Sequence, residues 1–248
     1  MFEKLKQLFQ KESTLASFKV ANETFPYLEV VNPECVDENT ALIVGLHGFG
    51  SDETQIQTLI NLELDASYVY LAPRAWYTLP DSGYAWFPVS KENNQYKADK
   101  LQHLESLDFL ELFIEQAIKH YQINPDKIYL LGYSQGAGVT LSYLMHKPGM
   151  VAAAVAMSGN LLPGMKPEPV DSDALKNTPL FLGQGTLDTF ILEENRLELK
   201  SYLEQQGVNL TYHEYPAGHV VTQKEQQDVE RWLNKLISET ILGPVTLL

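Results

Sequence analysis

The sequence predicts an α/β protein with a mainly parallel central sheet and helices on both faces. Three observations predict it. Short apolar runs alternate with longer segments of helical periodicity along the chain. Some runs, such as Thr40–Gly48, are apolar without alternation, as suits a strand covered on both faces. The helical segments between runs are long enough for right-handed crossovers, which join parallel neighbours. The 248 residues, 44% of them hydrophobic, fit a single domain over 1–248 with a sizeable core.

Taken in order, residues 1–16 read as an N-terminal helical extension, because Phe2, Leu5, Leu8 and Phe9 follow helical spacing. Its apolar stripe suits packing on the body of the protein, with a membrane anchor as the alternative. Residues 16–22 and 26–32 resemble two opening strands. Thr40–Gly48 is the first buried strand, and 52–64 follows as a helix, with Ser51 or Asp52 as its N-cap. Residues 67–73 form the next strand. An irregular segment from Pro73 to about Lys97 carries Trp76, Tyr77, Tyr84, Trp86 and Phe87; aromatics in a loop either pack or line a substrate pocket. A strongly periodic helix covers 101–121. Strand 126–134 runs straight into helix 135–147. Residues 151–159 and 179–188 read as buried strands, 191–207 as a helix stopping at Gly207, 210–219 as the last strand and turn, and 223–241 as the closing helix. No repeat and no insertion large enough for a lid domain interrupts the pattern.

Composition removes several classes of function. The net charge is −14, so the surface repels phosphate backbones, and no nucleic-acid partner is expected. No run approaches the ~18 apolar residues of a spanning helix, and the N-terminus is too charged for a signal-peptide core. Cys35 is the single cysteine, which excludes an intrachain disulfide and fits a reducing, cytoplasmic compartment. The chain reads as a monomer or homodimer.

The chemistry centres on "LLGYSQGAG", Leu130–Gly138. One or two residues separate the strand from the helix, so Ser134 sits in a tight bend. Gly132 and Gly136 lack the Cβ atoms that would clash there. The bend lifts the serine hydroxyl out of the sheet and aims the free N–H groups of the helix at it. The G-x-S-x-G spacing alone arises by chance roughly 0.05 times in such a chain; the strand before it and the helix after it make it specific. A serine hydroxyl needs a base. Of six histidines, His103, His120 and His146 lie in helical patterns and read as surface residues, and His213 lies within a strand. His47 reads as a support for the loop after the first buried strand. His219, just past the last strand, is the candidate base, and Asp188, at the end of another strand, is the carboxylate that would orient it. The order Ser134, Asp188, His219 is that of α/β-hydrolases. Oxyanion donors are expected at the backbone N–H groups of Phe49 and Gln135. Trp76, Tyr84, Trp86 and Phe87 are candidate substrate-binding walls. His213, Glu214 and His219 lack the spacing of a metal site, so no metal is expected.

These residues resemble the phospholipase/carboxylesterase family of α/β-hydrolases, which includes the acyl-protein thioesterases. The matching stretches are "LHGFGSDE", "LAPRAWYT" with "AWF", "GYSQGAG", "GQGTLD" and "YPAGH", in family order from about Thr40 to the final helix. The resemblance implies a lidless, cytosolic serine esterase without a cofactor, with the nucleophile at Ser134, the acid at Asp188, the base at His219 and the oxyanion donors at Phe49 and Gln135. Gln184 and Thr189 stand where the family commonly has histidine and proline, positions that shape the acid loop and pocket. The expected activity is hydrolysis of a small-molecule carboxylic ester, thioester or lysophospholipid through an acyl-enzyme. Alternatives are a non-catalytic binding protein on the same fold, or a lipase or serine peptidase.

Overall fold

A computed structural model describes residues 13–20, 23–31, 36–37, 39–60, 62–81, 83–92, 95–162, 164–167 and 172–242. The strands in chain order are β1 (Ser13–Val20), β2 (Glu23–Val31), β3 (Ala41–Leu46), β4 (Tyr68–Pro73), β5 (Tyr77–Thr78), β6 (Tyr84–Ala85), β7 (Val89–Glu92), β8 (Gln95–Ala98), β9 (Ile128–Tyr133), β10 (Ala153–Met157), β11 (Pro179–Gly185) and β12 (Asn209–Tyr215). The helices are α1 (Gln55–Leu59), α2 (Lys100–Tyr121), α3 (Gln135–His146), α4 (Ser172–Asn177), α5 (Glu193–Gln205) and α6 (Gln223–Leu242).

Eight strands form the central sheet in the order β1-β2-β4-β3-β9-β10-β11-β12. The six from β4 to β12 are mutually parallel, and β1 and β2 add an antiparallel edge. Parallel strands alternate their side chains between two covered faces. Leu42, Val44, Leu46, Leu130 and Leu182 share one core cluster with residues of α2, α3 and α5. Ile43, Tyr129, Leu131 and Phe181 pack on the opposite face with Val229, Leu233 and Ile237 of α6. No helix among the described residues is long and apolar enough to cross a membrane.

Three expectations are corrected. The helical extension over 1–16 does not reach 16, because Ser13–Ala16 pair with β2 as part of β1 and Phe18 anchors that strand in the core; residues 1–12 lie outside the described residues. The helix over 52–64 shrinks to Gln55–Leu59. Asp52 holds Thr54 by its backbone and hydroxyl, which delays the start. At Ile60 the backbone is extended, and the N–H groups of Glu63 and Asp65 donate to side chains of α6 instead of continuing the helix. The segment from 73 to 97 is not wholly irregular: it folds into two short hairpins, β5–β6 and β7–β8. Asp99 caps α2, its carboxylate accepting the N–H groups of Leu101 and Gln102.

Candidate active site

Parallel strands end at one edge, and β9, β11 and β12 bring three loops together there. Ser134 follows β9 directly, with φ 55° and ψ −115°, a conformation an L-residue seldom adopts. The strain is imposed by crowding. A Cβ on Gly136 would run into the carbonyl oxygens of Leu46 and His47, and one on Gly132 into Gly136 and Thr140. Strand and helix approach too closely there for any side chain. The Ser134 N–H donates to Met157 O at 2.9 Å, tying the turn to β10.

His219 lies four residues past β12. Its Nε2 is 2.8 Å from Ser134 Oγ, and its Nδ1 is 2.6 Å from Asp188 Oδ2. The Asp188 side chain is fully buried, that of His219 is largely buried, and Ser134 is half-buried. The other Asp188 oxygen accepts the N–H groups of Phe190 at 2.7 Å and Ile191 at 3.1 Å. Tyr133 donates its hydroxyl to His219 O at 2.7 Å, so the residue before the serine anchors the histidine loop. An imidazole placed between a hydroxyl and a buried carboxylate can remove the serine proton and return it to a leaving group.

The loop after β3 lies against this centre. A Cβ on Gly48 would sit 3.2 Å from Ser134 Cβ. The N–H groups of Gly48 and Gly50 are engaged, by Gln55 Oε1 and Tyr84 O. That of Phe49, between them, has no hydrogen-bond partner among the described residues. The Gln135 N–H opens α3, where helical N–H groups lack intrahelical acceptors. His47 is buried; its Nδ1 lies 2.8 Å from Gly48 O and its Nε2 accepts the Ala75 N–H at 3.1 Å. Desolvation lowers its pKa, keeping the ring neutral. Glu53 pairs with Arg74 through two hydrogen bonds behind the same loop.

The four aromatic candidates divide. Trp76 is half-exposed and Tyr84 partly exposed, the latter lying under the Arg74 guanidinium. Trp86 and Phe87 are buried among core side chains. The Gln135 side chain clamps their backbone, accepting from Trp86 N–H and donating to Phe87 O, and Trp86 Nε1 donates to His47 O. Gln184 is buried and donates to Gly159 O at 2.7 Å, whereas Thr189 is exposed.

One histidine reading is corrected: His103 is buried, not a surface residue. It lies on the inward stripe of α2 with Leu107, Leu110, Ile114 and Ala117, and Nε2 meets Ser142 Oγ at 2.6 Å. Phe190 escaped the sequence reading; its ring lies 5.1 Å from that of His219. No group of three or more His, Cys, Asp or Glu side chains among the described residues could hold a metal ion.

Comparison with known proteins agrees with this architecture. A family model described as Phospholipase/Carboxylesterase matches residues 26–237. The chain is 27% identical to MhqD of Bacillus subtilis over 128 residues, 52% of this chain and 62% of that protein. It is 25% identical to Acyl-protein thioesterase 1 of Candida albicans over 225 residues, 80% of this chain and 93% of that protein. The crystal structure of the Bacillus cereus carboxylesterase superposes with a TM-score of 0.72 at 24% identity, covering 87% of this chain and 96% of that one, a likeness of fold.

Proposed function

Because the chain belongs to the phospholipase/carboxylesterase family, and with it to the ester hydrolases, we propose that it is a serine carboxylesterase working through an acyl-enzyme. The observation that carries this reading is the unbroken line from Ser134 Oγ through His219 to Asp188, with contacts of 2.8 and 2.6 Å. Ser134 Oγ attacks the acyl carbon while His219 Nε2 takes its proton. The carbonyl oxygen becomes an oxyanion held by the N–H groups of Phe49 and Gln135. Asp188 keeps Nδ1 protonated and stabilises the imidazolium. Collapse of the intermediate expels the alcohol or thiol with the proton from Nε2. Water then repeats the sequence on the acyl-enzyme and releases the acid. A strained, pre-placed hydroxyl and fixed N–H dipoles suit this chemistry, because they need no reorganisation when charge develops. The substrate is a small-molecule ester or thioester, and the site of action is the cytoplasm.

The test is hydrolysis of p-nitrophenyl esters from acetate to palmitate by wild type and Ser134→Ala. Wild type should turn over, with an optimum chain length that measures the acyl site. The variant should lose at least ~10⁴-fold in kcat. Equal turnover by the two proteins would remove Ser134 as the nucleophile, and no turnover by either would leave the chain a binding protein on this fold.

A further inference from the structure

The strongest unassigned feature is the apolar surface around His219. Leu187 is 67% exposed, Phe190 60% and Val220 53%. Solitary exposed apolar residues need no explanation, but these three stand on the two loops that hold the histidine. Leu187 and Phe190 flank Asp188, and Val220 follows His219. The loops are pinned together, Leu187 N–H donating to Ala217 O at 2.9 Å. What ties these residues into the loops is their backbone: Phe190 serves Asp188 through its N–H, and Val220 N–H donates to Gly218 O. The side chains are left facing solvent, with the Phe190 ring tilted over the imidazole at 5.1 Å.

We propose that Phe190, with Leu187 and Val220, forms the subsite for an apolar leaving group, the alcohol or thiol half of the ester. This rests on the roles assigned above to Ser134, Asp188 and His219. The chemistry fixes the side. Serine attack forms the bond from Oγ to the acyl carbon and moves the serine proton to Nε2. Collapse breaks the bond from the acyl carbon to the leaving oxygen or sulfur, which takes that proton and departs as alcohol or thiol. The leaving atom must therefore come within hydrogen-bond reach of Nε2, about 3 Å. Whatever it carries extends over the histidine side of the site, where Phe190 stands. The acyl half stays on Ser134, beside the β3 loop and the start of α3. Burying exposed aromatic surface against an alkyl or aryl group is favourable in proportion to the apolar area removed from water. A methyl or ethyl leaving group gains little of it.

The experiment holds the acyl group at butyryl and varies the alcohol: methyl, ethyl, octyl, p-nitrophenyl and 2-naphthyl. Wild type, Phe190→Ala, Phe190→Leu and Val220→Ala are compared by kcat/KM, which reports acylation, and by single-turnover deacylation. Phe190→Ala should lose roughly tenfold or more on the octyl and naphthyl esters and under about threefold on the methyl ester. Phe190→Leu should recover most of the octyl loss. Deacylation should be unchanged, because the leaving group has gone. Should Phe190→Ala fail to fold, Val220→Ala should show the same selectivity with a smaller factor. A uniform loss across all alcohols, or a change in deacylation, would overturn the subsite. Absence of Ser134-dependent turnover on any ester would instead sink the triad reading itself.

Discussion

The turn that carries Ser134 and the loops that carry Asp188 and His219 are built in opposite ways. The serine turn is fixed by backbone against backbone: Gly132 and Gly136 let β9 and α3 close on β3, and Ser134 holds a strained φ of 55°. The acid and histidine loops are fixed by hydrogen bonds, from two N–H groups to Asp188 and from Tyr133 to the His219 carbonyl. They also display large apolar side chains to solvent. The difference teaches where change is tolerated. A close-packed turn has one solution. A loop held by its backbone leaves its side chains free to meet a substrate.

Asp188→Asn should have the largest effect. An amide can still accept the Phe190 and Ile191 N–H groups, so the loop should survive. It cannot stabilise the imidazolium, and kcat should fall by ~10⁴-fold with circular dichroism unchanged. A loss below tenfold would show that the acid loop is scaffolding only. Gly136→Ala comes next and strikes the other region. The new methyl collides with the Leu46 and His47 carbonyls, and stability should fall by about 4 kcal/mol, measured by urea unfolding. Little change in stability would mean that the turn can relax, and the contrast between the two regions would fail.

The turn was the more legible region for the same reason. Glycines at 132 and 136 around a serine are a backbone requirement written directly in residue types, and the strand and helix around them carry their own periodicities. Asp188 and His219 were legible from their places at strand ends. Trp86 and Phe87 were harder to place, because an aromatic residue in a loop reads the same whether it turns inward or outward. Their backbone is drawn in by Gln135, a residue 48 or more positions away. His103 carried a usable signal, its spacing of four from Leu107 on the buried stripe of α2. The short α1 had none, since its early end depends on Glu230 and Asn234 of α6. Phe190 is legible only once the acid loop has been folded beside His219.

Glu225 sharpens the comparison, because it lies beneath the root of the acid loop. It is buried in the first turn of α6 against Gly183, and Oε1 has no partner among the described residues. Desolvation, with a smaller push from Asp228, raises its pKa to about 7; Thr222 acts in the opposite direction, and Tyr133 and Tyr215 lie within its field. A raised carboxyl pKa means that the native state holds the proton more tightly than the unfolded chain. The stability this contributes is full below about pH 4.5 and is lost as pH rises through about 7. Glu225→Gln removes the dependence. Between pH 5 and 8 wild type should lose about 2 kcal/mol more than the variant in urea unfolding. Parallel pH curves would show that Glu225 ionises freely, and so that the root of the acid loop admits water.

The smallest expected effect is the most informative about the loops. Phe190→Ala removes a large ring, and in a packed core that costs about 3–5 kcal/mol. Here the ring is mostly exposed, and the N–H that serves Asp188 belongs to the backbone and remains. The loss should stay within about 0.5 kcal/mol, a Tm shift of no more than about 2 °C. A fold indifferent to the ring, with kinetics that depend on it through the alcohol, would place its value in the encounter with substrate. A loss above about 2 kcal/mol would say the reverse: that the ring clamps the imidazole onto Asp188, and that the acid loop is as tightly built as the serine turn.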